Sequence, residues 1–444
     1  MQCQGSKTLR ATSLGLLGAI LMGAAHGQAA APWLSDQQIS DSYIYLLGRL
    51  LVLNQEQADF AQGYKWNQLV HRKVGDVAWP NPNLDVAYSE AWVAIDEKSC
   101  ALVSVPPIKD RYYTVQFLNG WGETVANINE RVFPQHPDGE FAVCLKGAKA
   151  SLPATTQRVD VPTKALRVLA RVELGSTPDQ AVTLQRKIVI RASAQPQLPV
   201  VPKTVRFDIE KLPGVEAFDS ADAALDSEAD INPGMEQLQA NTRALAKAVK
   251  DPAQRQHIST VVQHKAMADL AKAMPTLGDG TVKNSWALPS TIGVYGNNWL
   301  LRTLVNLGGI WANTYEEVIY YKAFVDPQGR HLNGDRSYAL RFSKEQVPLL
   351  YATYFWSVIA VDSVHRRVLP NPRKRYLLSN FSKLAYGDDG SLTLYLGADK
   401  PKDAPESNWI PTPKGIGYSL TLRFYRPKGA VAERSYFPPA LEDR

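Results

Sequence analysis

The chain has 444 residues, 45% of them hydrophobic and 21% charged, with a formal net charge of +6 at pH 7. That length and apolar content exclude a disordered chain and allow a large buried core, with two or three domains expected. The positive charge is mild and dispersed, clustering only at Arg366-Arg367 and Arg373-Lys374-Arg375, so it gives no nucleic-acid footprint and leaves those clusters as a solvated edge or an anion site.

Residues 1–29 read as a secretory signal peptide: Lys7 and Arg10 precede an uncharged run over 11–25, and small residues follow at Gly27 and Ala29. The run is shorter than the roughly 20 residues that span a bilayer, so the mature protein is expected in the periplasm or outside the cell, with no transmembrane segment. Residues 30–194 are expected to hold a helix and a β-rich module. Ser35 or Asp36 can cap the helix, whose apolar positions run through Ile39, Tyr43, Leu46, Leu47, Leu50 and Leu51. Short apolar runs at 86–95, 101–105, 112–118, 140–145, 167–174 and 186–192 then predict antiparallel strands. Cys100 lies beside one such run and Cys144 in another, and in an oxidising compartment they are candidates for a disulfide; a free buried pair is the other reading.

Residues 195–295 are expected to connect the two ends. Prolines over 196–213 predict an extended segment, and helices are predicted over 235–249, over 253–274 after Asp251-Pro252, and over 297–307 before Gly308-Gly309. The last module, 296–444, returns to strands at about 317–325, 337–342, 353–362, 375–379, 391–397 and 418–426, with turns at Asp326-Pro327-Gln328-Gly329 and Asp388-Asp389-Gly390.

Two series of motifs stand on these strands. The first is Asn83-Leu84-Asp85-Val86-Ala87-Tyr88-Ser89 with Trp92, then Arg111-Tyr112-Tyr113 and Gln116. The second runs from Leu332-Asn333-Gly334 and Tyr338 through Phe355-Trp356-Ser357, Asn371-Pro372, Arg375-Tyr376 and Asp389-Gly390-Ser391-Leu392-Thr393 to Asn408-Trp409-Ile410-Pro411 and Leu422-Arg423-Phe424-Tyr425. Over roughly residues 60–190 and 295–440 the chain resembles a two-module family of bacterial and viral proteins, built from the domains of unknown function twelve-fifty-four and twelve-fourteen. It departs from the usual pattern at Leu84, where the family has a second Asn, and at Val86-Ala87, where it has Thr-Leu. The resemblance implies an α+β fold, with β-rich, antiparallel, sandwich-like modules at both ends and a helical section between them. It implies no established activity.

For chemistry, Asn83, Asp85 and Tyr88 sit at a strand entrance, where they either form a local Asx turn or a working cluster with Asp85 as acid or base and Asn83 as a donor. Strand alternation puts Arg111, Tyr113 and Val115 on one face and Tyr112, Thr114 and Gln116 on the other. Arg111 could hold a carboxylate or sulfate, or pair inside the protein with Asp85 or Asp110; Tyr113 beside it is a second catalytic candidate. Trp356, Arg375 and Trp409 are candidate ligand contacts, with core packing as the competing reading of the aromatic residues. His257 and His264 share a helix face without a third ligand, no metal is assigned, and no cofactor motif occurs. Two functions stay open: an exported enzyme acting on a small molecule or saccharide in a cleft between the modules, or a non-catalytic binding or envelope-associated β protein. A homo-oligomer is compatible with either.

Overall fold

The computed structural model describes residues 33–75 and 82–444, so the predicted signal peptide lies outside the described residues. The first helix, α1 (Asp36–Ala61), starts at a capping box in which Ser35 and Gln38 satisfy each other's backbone donors. Nearly every side chain from Ile39 to Leu53 is buried, which makes α1 a central helix rather than a surface one.

The N-terminal strands are β1 (Val70–His71), β2 (Val86–Ala94), β3 (Ala101–Val105), β4 (Tyr113–Leu118), β5 (Thr124–Ile128), β6 (Gly139–Leu145), β7 (Gln157–Val161), β8 (Ala165–Glu173) and β9 (Val189–Ala192). They form two sheets, ordered β1-β2-β8-β4-β5 and β7-β6-β3-β9, antiparallel except for the β6–β7 pair. Alternate residues Ala91, Val93, Val115, Phe117, Val168 and Val172 of the first sheet pack on Val103, Phe141, Val143 and Ile190 of the second. Cys100 and Cys144 are joined in a disulfide across the β3–β6 pair, with Cα atoms 4.5 Å apart. One predicted strand is shorter than expected: 178–187 is a helix, α2 (Pro178–Lys187), with proline in its first turn, and only the end of the 186–192 run pairs as β9.

The middle of the chain wraps α1. Helices α3 (Ala221–Ser227) and α4 (Glu236–Ala248) pack on it, as does the run of α5 (Pro252–Val261) and α6 (Met267–Ala273), which a π turn at Val262–Ala266 joins into one rod. The seventh, α7 (Trp299–Gly309), is capped by Asn298 and runs on through Gly308-Gly309, where the sequence suggested a break.

The C-terminal strands are β10 (Thr281–Lys283), β11 (Trp286–Leu288), β12 (Val318–Ala323), β13 (Tyr338–Phe342), β14 (Trp356–Asp362), β15 (Leu377–Ser379), β16 (Leu392–Gly397), β17 (Trp409–Pro411), β18 (Tyr418–Tyr425) and β19 (Leu441–Asp443). A six-stranded sheet, β10-β11-β12-β18-β14-β15, faces a four-stranded one, β17-β16-β13-β19. Between them lie Tyr321, Trp356, Val358, Leu420, Leu422 and Phe424 against Tyr338, Leu340, Leu394 and Ile410. The fold is therefore α+β with β-rich modules at both ends, and Ser35–Arg444 form one compact unit.

Candidate functional site between two polar sheet faces

Strand alternation decides what the modules show each other. On β18, Tyr418, Leu420, Leu422 and Phe424 enter the C-terminal core, so Ser419, Thr421 and Arg423 must point the other way. On β12, Ile319, Tyr321 and Ala323 enter that core, which turns Tyr320 and Lys322 to the same outer face. In a two-layer sandwich such a face would meet water, yet all eight residues of β18 are buried. The N-terminal module covers them. Its first sheet has the same two-sided character, with Tyr88, Glu90, Leu169 and Arg171 opposite its own core.

The two outer faces line a partly open cavity of about 660 Å³. Its remaining wall is apolar, built from Met274, Leu277, Ile292, Leu304 and Val305 and closed by Gly308 to Ala312. Its polar wall is rich in cations: Lys322, Arg423, Arg366 and Arg171. Two of the arginines are committed to the fold. Arg171 donates to Gln116 and, at 2.9 Å, to the Trp311 carbonyl, with its guanidinium 5.3 Å from the Tyr88 ring; Arg366 donates to the Leu307 carbonyl. Arg423 is less completely used. One of its Nη atoms reaches the Pro82 carbonyl at 3.3 Å, and the other stands 3.7 Å from the Asp85 carboxylate without a hydrogen bond. Thr421 Oγ1 and Trp311 Nε1, also on the cavity wall and each at most 3% exposed, have no hydrogen-bond partner among the described residues. Buried donors left this way normally cost about 1–3 kcal/mol each, so their gathering at one cavity calls for an acceptor.

Electrostatics follow from burial. Lys322 touches the cavity but is otherwise surrounded by protein; poor solvation, then the charges of Arg423 and Arg366, bring its ammonium down from 10.5 to about 7. Burial pushes the Asp85 carboxyl above its usual range, against the opposing pull of Arg423 and of the Ser357 hydroxyl, which donates to it at 2.6 Å. Burial likewise raises the Tyr320 phenol. At the far end Glu90 is neutralised by Arg167 at 2.6 Å, and Arg167 is shared with Asp59 at 2.9 Å.

Beside the cavity a polar clamp ties the modules together. Glu317, ahead of β12, accepts from Arg131 at 2.5 and 3.0 Å, from the Tyr112 hydroxyl at 2.9 Å and from the Asn129 amide at 3.0 Å.

Residues 66–192 match the family described as "Protein of unknown function (DUF1254)", and residues 317–429 match "Protein of unknown function (DUF1214)". The chain carries both, in that order. No curated protein matches it. Among solved structures it is similar to the VPA0106 protein from Vibrio parahaemolyticus, at 18% identity and a TM-score of 0.61, covering 92% of this chain and 99% of that one. It also matches a putative uncharacterized protein from Burkholderia cenocepacia at 13% identity and a TM-score of 0.44, covering 92% of each chain; at that score the match adds no argument. The first likeness concerns the fold alone.

The DUF1254 signature residues fall in different places. Asn83 and Tyr88 line the cavity; Asn83 accepts from the Asp85 backbone at 3.0 Å, an Asx turn, while its amide donates to the Tyr425 hydroxyl across the module boundary. Asp85 stands just behind the wall, between Ser357 and Arg423. Arg111 donates to the carbonyls of Glu173 and Leu174 and to Thr177, and Tyr113 lies in the N-terminal core with its hydroxyl on the Pro137 carbonyl at 2.7 Å; neither reaches the cavity. In the DUF1214 part, Trp356 is fully buried between the two sheets, and Trp409 is buried with its indole donating to the Gly397 carbonyl at 3.0 Å. Arg375 bonds Glu406 and lines a separate open cleft with Arg373, Lys374 and Lys383. Among the described residues no group of three His, Cys, Asp or Glu gathers as metal ligands would, and no helix is long and apolar enough to cross a membrane.

Sequence reading did not single out Lys322, Thr421 or Arg171. The usable signal was the strict alternation of Tyr418–Tyr425, with Ser, Thr and Arg interleaved among large apolar residues. It resembles an ordinary half-exposed strand until the covering module is seen.

Proposed function

We propose that the protein is an exported enzyme that takes an anionic small molecule with an apolar body into the cavity between its two modules. The observation that carries this reading is the set of donors on one cavity wall: the cations Lys322 and Arg423 with the unpartnered Arg423 Nη1 and Thr421 Oγ1. A carboxylate, sulfate or phosphate supplies acceptors to such donors through charge-assisted bonds, and the apolar wall of Leu277, Ile292, Leu304 and Val305 suits a hydrocarbon body. An amine that is partly neutral near pH 7 favours catalysis over simple storage. Export is supported by the sequence of residues 1–29 and by the Cys100–Cys144 disulfide, which fits an oxidising compartment.

Calorimetric titration with octanoate, octylamine and octanol tests the reading. Octanoate should bind to the full mature chain, and the double variant Asp85→Asn/Arg423→Met, which removes both members of the buried pair, should bind it at least tenfold more weakly. Equal binding of octylamine, or no binding of octanoate, would overturn it. Recovery of ligand chemically unchanged across a panel of carboxylates would reduce the protein to a binding module. Fusing residues 1–35 to a reporter active only outside the cytoplasm tests export.

A further inference from the structure

Resting on the cavity reading above, we infer that Lys322 is a nucleophile that forms an imine with the carbonyl group of an oxo acid whose carboxylate is held by Arg423. The register of the six-stranded sheet sets the geometry. Lys322 on β12 pairs directly with Thr421 on β18, and Tyr320 pairs with Arg423, so the amine, the hydroxyl and the guanidinium share one face of two neighbouring strands. Directly opposite residues have Cβ atoms about 4.5–5.5 Å apart and diagonal ones about 7–8 Å. A ligand anchored at Arg423 therefore brings a carbonyl a few carbons away over Lys322, next to Thr421.

A lysine nucleophile must lose its proton before it attacks, and enzymes achieve that by desolvation or by placing a second cation nearby. Both are present: protein surrounds Lys322, and Arg423 and Arg366 face it across the cavity wall, with Arg171 on the opposite sheet. The phenol of Tyr320 lies on the same strand face, and Asp362 on the wall is occupied by the backbone amides of Val364 and His365 at 2.7 and 2.8 Å. The amine nitrogen's lone pair attacks the carbonyl carbon, a C–N bond forms, and the C=O π pair moves to oxygen, which takes up the proton the nitrogen gives up. The carbinolamine then loses that oxygen as water, carrying the nitrogen's second proton, and a C=N bond remains. No oxidant or co-reactant is needed. The Thr421 hydroxyl, unpartnered at 3% exposure, is placed to donate to the departing oxygen.

The test is reductive trapping on the full mature chain. α-Ketooctanoate or γ-ketooctanoate is added with sodium cyanoborohydride, and the peptides are mapped by mass. One adduct is expected, at Lys322, with the mass of the acid less one oxygen atom, suppressed at least tenfold by excess octanoate. Lys322→Arg removes the nucleophile and should give no adduct at this position; Lys322→Met serves if the arginine variant fails to fold by circular dichroism. If octanoate binds but no adduct forms at Lys322, or adducts spread over surface lysines regardless of octanoate, the imine is overturned while the cavity reading stands. If octanoate fails to bind and no adduct forms, both fall.

Discussion

Replacing Glu317 should unfasten the two modules, and the size of the effect can be worked from its surroundings. Its side chain is 3% exposed and that of Arg131 7%, so the pair is buried. Removing one partner of a buried ion pair costs about 3–5 kcal/mol where the other charge is left alone, and because Arg131 keeps its ion pair with Glu130 the lower end of that range applies. In Glu317→Ala the Tyr112 hydroxyl and the Asn129 amide lose their acceptor as well, each worth about 1–3 kcal/mol when buried. These groups belong to one network and do not add, so the expected loss is about 4–6 kcal/mol for alanine. Glutamine removes the charge and keeps one acceptor oxygen, and about 2–3 kcal/mol is expected. Urea unfolding followed by tryptophan fluorescence and far-ultraviolet circular dichroism measures this, with Glu316→Gln as the control, since Glu316 is exposed. Domains of ordinary stability have about 5–15 kcal/mol in all, so the glutamine variant guards against an alanine variant that does not fold. A loss below about 1 kcal/mol for Glu317→Ala would refute the clamp.

Reducing the Cys100–Cys144 bond reopens a sequence separation of 44 residues, which the chain-entropy model values at about 4 kcal/mol; the urea midpoint with and without reductant should shift accordingly. Lys322 gives a pH signature. Its folded pKa is depressed to about 7, so between there and its unfolded value near 10.5 the unfolded chain binds more protons, and stability rises with pH across that window. The wild type should gain on the order of 2–4 kcal/mol relative to Lys322→Met from pH 7 to pH 10, and parallel curves for the two proteins would contradict the depressed amine. Leu304→Trp places an indole into the apolar wall of the cavity; it should weaken octanoate binding at least tenfold by calorimetry, and unchanged affinity would mean the ligand lies elsewhere.

The sequence exposed the layers more readily than the site. Strands β12, β13, β14, β16 and β18 were legible as short apolar or alternating runs, and α1 because a capping residue at Ser35 or Asp36 precedes apolar positions at helical spacing. The short strands β10, β17 and β19 carry three residues each, too few for a period to show. What alternation could not give was the destination of the second face. Thr421 and Arg423 are as polar as a solvated strand face, and only the neighbouring sheet, with Tyr88 and Arg171, turns that face into a cavity wall. The motif residues divide for a related reason. Asn83 and Tyr88 sit where β2 meets the cavity, while the equally conspicuous Trp356 and Tyr113 owe their size to filling cores on the opposite faces of their strands.

A crystal structure of the mature protein soaked with octanoate addresses the central claim most directly. The carboxylate should lie within hydrogen-bond distance of Arg423 Nη1 and Thr421 Oγ1, with the alkyl chain running toward Leu304 and Ile292. A carboxylate bound instead at the open cleft of Arg373, Lys374 and Arg375, with the inter-module cavity free of ligand, would contradict the account.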